Sequence, residues 1–225
     1  MVELNAERFW AWIAGTWALV SLTVLAALGF AGAASTAAAE IETPAAAAVS
    51  RELPKGKQTT LGLYVTAAQA YEKWKAAPDK VKVIDVRTPE EFALIGHPEM
   101  AWNIPLGFIT YERKDGKTQH GVRMNAGFVA EVKKLAQPDD TLLVLCRSGG
   151  RSAMAVNQLA AAGFKYAYNV VDGMEGDKVR DPASVFQGKR MVNGWKNSGL
   201  PWNYSLDPEK ILIEEGSSKQ TAPKQ

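Results

Sequence analysis

Apolar and polar positions divide the chain into stretches of different rhythm. Residues 9–39 carry no charged side chain, and the densest apolar part, 17–30, has no polar face. Residues 40–61 are rich in Ala, Pro and Thr and show no period, the pattern of a tether. From 62 to 206 short apolar runs alternate with amphipathic segments, a stretch of the size of one ordinary domain. Beyond 207 the apolar spacing fades into EEGSSKQTAPKQ, and 207–225 is expected to be a disordered tail.

Within 62–206 the pattern predicts alternating strands and helices. Leu63, Tyr64 and Val65 form a short apolar run. Thr66 and Gln69 then make a capping box that opens a helix reaching about Ala76. Residues 81–86, VKVIDV, are β-branched and almost continuously apolar, as a strand covered on both faces should be. Thr88 as N-cap, Pro89 at the first helical position and Glu91 at the third start another helix. Gly96-His97-Pro98 ends it, and Trp102-Asn103-Ile104-Pro105 reads as a short extended piece. Residues 111–124 are highly charged and predict a surface excursion. Apolar side chains at 128, 129, 132, 135 and 136 have helical spacing. TLLVL at 141–145 is a second buried strand, 152–162 an Ala-rich helix closed by Gly163, and 166–171 a third strand ended by Asp172-Gly173. This alternation predicts an α/β fold, a parallel sheet with helices on both faces.

Composition narrows the possibilities. A formal net charge of +2 over 225 residues offers no basic surface for a nucleic acid. One cysteine, Cys146, and two histidines, His97 and His120, exclude a disulfide framework and a multi-cysteine metal site, so no metal is expected. The 1–39 segment reads as a cleaved export signal with small-residue sites at 31–33 or 37–39. Its run from 9 to 34 is also long enough for a retained hydrophobic helix that anchors the chain in a membrane. Glu3 and Glu7 outweigh Arg8 ahead of it, which weakens the signal and keeps the anchor open. Either reading places the domain outside the cytoplasm: exported to the periplasm, or membrane-anchored and facing outward.

The candidate chemistry sits where a strand ends. In open parallel sheets ligands bind beyond the carboxyl ends of the strands. Cys146 is the first residue past such an end, and Gly149 and Gly150 let the loop curl so that main-chain N–H groups converge at the start of the next helix. That setting favours a thiolate. Arg147 and Arg151 are expected to add positive charge on either side, making Cys146 a nucleophile beside an anion cradle formed by Arg147, Ser148, Gly149, Gly150 and Arg151. A lone cysteine after a strand can equally be a small buried hydrophobe. The coincidence of the sole cysteine, two glycines, two arginines and a helix start within seven residues favours function.

These segments resemble the rhodanese family of sulfurtransferases. The resemblance rests on Val83-Ile84-Asp85-Val86-Arg87-Thr88-Pro89-Glu90-Glu91-Phe92, Gly96-His97-Pro98 with Asn103-Ile104-Pro105, and the loop Cys146-Arg147-Ser148-Gly149-Gly150-Arg151-Ser152. Asp172-Gly173-Met174-Glu175-Gly176 and Gly194-Trp195-Lys196-Asn197-Ser198-Gly199-Leu200-Pro201-Trp202 extend it. It departs at Pro98, where the family usually has Ile or a similar residue, and in the long excursion at 107–125. It implies a five-stranded parallel sheet, a single domain, no cofactor, and a Cys146 persulfide that carries sulfur from a small anionic donor such as thiosulfate to a thiophilic acceptor. The alternative is a non-catalytic or persulfide-carrying binding module serving a partner protein. Phosphatase chemistry fits less well: an arginine stands five residues after Cys146, where Cys-x5-Arg needs it at six. A cysteine hydrolase would need His97 or His120 as a base, and both are expected in a turn or at the surface. Asp85 and Arg87 are expected to tie loops together, and Trp195 and Trp202 to pack rather than bind substrate.

Overall fold

Strand β1 (Tyr64–Val65) leads into helix α1 (Ala67–Ala76), whose Thr66 capping box has both reciprocal hydrogen bonds. Strand β2 (Val81–Asp85) leads into α2 (Pro89–Ile95), capped by Thr88 and Glu91 in the same reciprocal manner. Short strands β3 (His97–Pro98) and β4 (Ala101–Asn103) follow, then a hairpin of β5 (Gly107–Lys114) and β6 (Lys117–Met124). Helix α3 (Phe128–Leu135), strand β7 (Thr141–Leu145), helix α4 (Gly150–Ala161) and strands β8 (Tyr166–Val170) and β9 (Trp202–Asn203) complete the order. These elements come from a computed structural model that describes residues 53–213. The expected leader, 1–39, lies outside the described residues. Among the described residues no helix is long and apolar enough to cross a membrane.

The main sheet runs β1-β8-β7-β2-β4 with every pairing parallel. Its central strands explain the continuous apolar runs in the sequence. Successive side chains point to opposite faces. Leu142 and Val144 therefore join Ile84, Phe128, Val132, Val156 and Leu159 in one core. Leu143 and Leu145 join Val81, Val83, Phe92, Val170 and Trp195 in the other. Each fully buried Leu or Val is worth about 1.5–3 kcal/mol, so helices must cover both faces.

Four expectations need correction. The 111–124 excursion is at the surface, but it is a regular hairpin. Asp115 and Gly116 both have positive φ (52° and 68°), the two-residue turn that Asp-Gly favours. Residues 53–61 of the expected tether are fastened to the domain. A 3-10 turn at Lys55–Lys57 gives its Lys57 carbonyl to Asn169 and its Lys57 ammonium to Asp177 (3.0 Å), while the Thr60 N–H donates to Asn157. The start of the expected tail is docked as well. Asn103 N–H donates to the Lys210 carbonyl at 2.7 Å and Leu212 N–H to the Asn103 carbonyl, which continues the sheet beyond β4. Finally, α4 begins at Gly150, two residues earlier than its apolar spacing suggested.

Candidate active site

Strand β7 lies at the middle of the sheet, and Cys146 follows its last residue, Leu145. Cys146 is 1% exposed, at the floor of the loop that leads into α4. The Gly149 N–H donates to Cys146 Sγ at 3.2 Å, and Ser152 Oγ lies 3.4 Å from the same sulfur. Gly149 is the α4 N-cap at φ 94°, a left-handed conformation, and a Cβ there would collide with the Val171 carbonyl. Only glycine fits this turn. The first N–H groups of α4 have no intrahelical acceptor, and they begin directly after the Gly149 N–H that meets the sulfur.

Asp172-Gly173-Met174-Glu175 clamps the loop from outside. Met174 N–H donates to the Cys146 carbonyl at 2.8 Å and Glu175 N–H to the Arg147 carbonyl at 2.9 Å. Gly173, at φ 60°, is packed so closely on the Cys146 carbonyl that a side chain has no room. Asp172 is itself held by the N–H groups of Ala67 and Gly194. Burial pushes its carboxyl above the usual range, against those hydrogen bonds.

The two arginines are less free than their positions in the sequence suggested. Arg147 is half exposed and its Nε sits 3.2 Å from Glu175. Arg151 makes a bidentate pair with Glu91 at 2.5 and 2.6 Å, joining α4 to the start of α2. The positive charges expected on either side of Cys146 are therefore ion-paired. Their carboxylate partners lie 28 and 60 positions away in the sequence, so no local window gave this away. Ser148 and Gly150 are part-buried members of the loop, as expected.

Glu91 does two jobs, since one carboxylate oxygen also accepts the Thr88 N–H. Burial works against its charge, yet Arg151 and the Thr88 hydrogen bond hold its carboxyl below the ordinary value. Burial likewise opposes the Arg151 charge, and Glu91, with smaller help from Cys146 and Asp85, raises its pKa. A depressed folded-state carboxyl contributes stability that is present above the unfolded pKa, about 4.3, and is lost as pH falls through the folded value. Glu91→Gln keeps an oxygen that can accept the Thr88 N–H but removes the charge. It is expected to cost about 1 kcal/mol in urea unfolding at pH 7. The difference from the parent protein should shrink as pH is lowered from 7 to 3 and the carboxylate is protonated. An equal cost at both pH values would show that the charge is irrelevant.

Asp85 and Arg87 tie loops together as expected. Both are fully buried, with Arg87 Nη2 at 2.6 Å from Asp85 and 2.8 Å from the Gly96 carbonyl. Burial opposes the Arg87 charge, but the Asp85 carboxylate keeps its pKa raised. His97 corrects the expectation of a surface or turn residue. It is buried and stacked on Phe92 at 3.6 Å, with Nδ1 on the Phe92 carbonyl and Nε2 on that of Ser205. With both nitrogens facing carbonyls, it cannot serve Cys146 as a base. His120 is exposed on β6, opposite Tyr111. Trp195 is fully buried and donates to the Pro201 carbonyl, and Trp202 packs at the core's edge beneath the Lys196 ammonium, 3.8 Å from its ring. Both pack, as their positions implied.

Sequence reasoning missed Asn169, Glu175 and Lys57. Asn169 is a polar residue inside an apolar strand, and that break in pattern was the signal that could have found it. Nothing local marks the other two.

A family model described as "Rhodanese-like domain" matches residues 66–178, half of the chain. Thiosulfate sulfurtransferase 18 of Arabidopsis thaliana is 38% identical over 90 residues, covering 40% of this chain and 61% of that protein. Uncharacterized protein RP600 of Rickettsia prowazekii (strain Madrid E) is 29% identical over 124 residues, 54% of this chain and 82% of its own length. The crystal structure of Rv0390 from M. tuberculosis is 30% identical, with 63% of this chain and 96% of that one covered and a TM-score of 0.49.

Proposed function

Because the chain belongs to the rhodanese-like domain family, we propose that it is a sulfurtransferase that works by double displacement at Cys146. The observation that carries the reading is the sole cysteine held at the end of the central strand, with the Gly149 N–H donating to its sulfur. The Cys146 thiolate attacks the outer sulfur of a thiosulfate-like donor. A Cys146–S–S⁻ persulfide forms as the donor's S–S bond breaks, and sulfite leaves with the bonding pair. A thiophilic acceptor, cyanide or a thiolate, then attacks the outer persulfide sulfur and releases the Cys146 thiolate. The loop N–H groups of 147–151 stabilise the negative terminal sulfur as they would an oxyanion. Weighing the intact protein after incubation with thiosulfate tests this: the mass should rise by one sulfur atom. A chain that takes up sulfur from no donor would instead support the binding-module reading.

Arg147 holds the donor's anionic end in this scheme. It is half exposed and engages Glu175 through one nitrogen, so it can turn toward an incoming anion; Arg151 is locked between two helices. Arg147→Ala is expected to raise the KM for thiosulfate about tenfold, the loss of one charge-assisted hydrogen bond. Steady-state kinetics with varied thiosulfate read this directly, and an unchanged KM would leave the task to the main-chain donors alone.

We extend the proposal to address. The apolar segment at 9–34 exports the domain, cleaved near Ala34 or Glu40, or retained as an anchor with the domain outside the cytoplasm. Amino-terminal sequencing of the native protein after carbonate extraction separates the two outcomes, and soluble full-length protein in the cytoplasm would refute both.

A further inference from the structure

Behind Cys146 lies a polar chain that the sulfur-transfer scheme does not use. Asn169, on β8, is fully buried, and so is Ser152 on α4. Asn169 Nδ2 donates to the Lys57 carbonyl at 2.9 Å and to the Gly149 carbonyl at 3.1 Å. Two carbonyl oxygens can be satisfied only by the amide's NH₂ end, so the orientation of this side chain is decided. Its oxygen, Oδ1, then faces Ser152 Oγ at 2.7 Å and has no proton to give. The serine must donate. A hydroxyl carries one proton, and 2.7 Å is the favoured length of an O–H···O bond. The contact from Ser152 Oγ to Cys146 Sγ, at 3.4 Å, is left with a lone pair on the oxygen side.

We propose that Asn169 is a positioning residue that turns the Ser152 hydroxyl into an acceptor toward Cys146 Sγ, so that the resting thiol donates its proton to Ser152. This rests on reading Cys146 as the reactive group. The S–H then points at Ser152, and the sulfur's lone pairs meet the Gly149 N–H. Ser152 supports the thiol and gives nothing to the thiolate, whose stabilisation falls to the loop N–H groups. The end of the chain is a main-chain carbonyl of the 3-10 turn at Lys55–Lys57, so the amino-terminal segment closes the network.

The sign of one substitution separates this arrangement from a serine that donates to sulfur. Alkylation by iodoacetamide, followed from pH 5 to 9 on the full chain, reads the thiolate directly. Ser152→Ala removes an acceptor from the thiol and is expected to raise the rate on the acid limb about threefold or more, as for loss of a weak hydrogen bond. Asn169→Leu frees the Ser152 proton for the sulfur and is expected to raise it about tenfold, the scale of a hydrogen bond to a charged group. In a Ser152→Ala background Asn169→Leu should add nothing, because its effect passes through the hydroxyl. A slower or unchanged rate in Ser152→Ala overturns the assignment, and so does an Asn169→Leu effect that survives without the serine. If Asn169→Leu does not fold, Ser152→Ala, a small change at a buried site, still decides the sign. Alkylation does not depend on sulfur transfer. A chain that alkylates as expected yet takes up sulfur from no donor would refute the proposed function and leave this assignment standing.

Discussion

Cys146→Ser should abolish both the thiosulfate adduct and sulfur transfer, with turnover falling by about a thousandfold or more, the usual scale for loss of a covalent nucleophile. The oxygen is smaller than sulfur and fits the space, so the fold should survive and the thermal midpoint should move little. The loss is chemical. A serine hydroxyl is scarcely ionised near neutrality, and a sulfur displaced onto oxygen would not give a persulfide. Intact mass and a thiocyanate assay with cyanide as acceptor check the two halves separately. Turnover at the parent rate in Cys146→Ser would remove the basis of the mechanism. So would an adduct that forms on the variant, since no second cysteine exists in the chain to receive it.

The largest expected effect on stability lies at the buried ion pair. Arg87→Met removes the partner of Asp85 in a fully buried setting and should cost about 3–5 kcal/mol, because an uncompensated carboxylate is left behind. For a domain of this size that corresponds to a fall of roughly 10 °C in the thermal midpoint. Asp85→Asn combined with Arg87→Met should recover part of the loss, since neither charge then remains. The guanidinium also donates to the Gly96 carbonyl at the end of α2, and Asn103 donates to the carbonyls of Asp85 and Arg87. Loosening this knot should therefore free α2, whose Glu91 holds Arg151. Equilibrium denaturation of the two variants checks the prediction. If Arg87→Met costs less than 1 kcal/mol, the pair is not what joins these loops.

Several elements were legible before any coordinates because their causes are local. The capping boxes at Thr66 and Thr88 reach three residues along the chain, and both formed as their sequences implied. The runs at 81–86 and 141–145 alternate faces with a period of two, and being apolar on both faces they had to be central strands. The Asp115-Gly116 turn was equally local, but the charges around it hid a hairpin signal that was present. The site was legible in outline for the same reason. A cysteine, two glycines and a helix start within a few residues describe one loop, and in the structure that loop carries Cys146 at the end of the central strand.

What surrounds the sulfur came only with the tertiary structure. Arg151 meets Glu91 across 60 positions, Arg147 meets Glu175 across 28, and Lys57 reaches Asn169 across 112. Nothing in a local window tells which carboxylate neutralises an arginine, or which carbonyl orients an amide. Those pairings follow from the order of strands in the sheet, which brings the ends of β2, β7 and β8 side by side. The docking of residues 53–61 and 207–212 has the same origin, since each satisfies main-chain or amide groups that come into place only after the sheet has formed. The amino-acid sequence by itself determined most of the elements, the fold class and the candidate sulfur, because period, capping and composition act over a few residues. Tertiary structure alone decided which charged groups and hydrogen-bond partners surround that sulfur, because contacts between distant segments depend on where packing puts them.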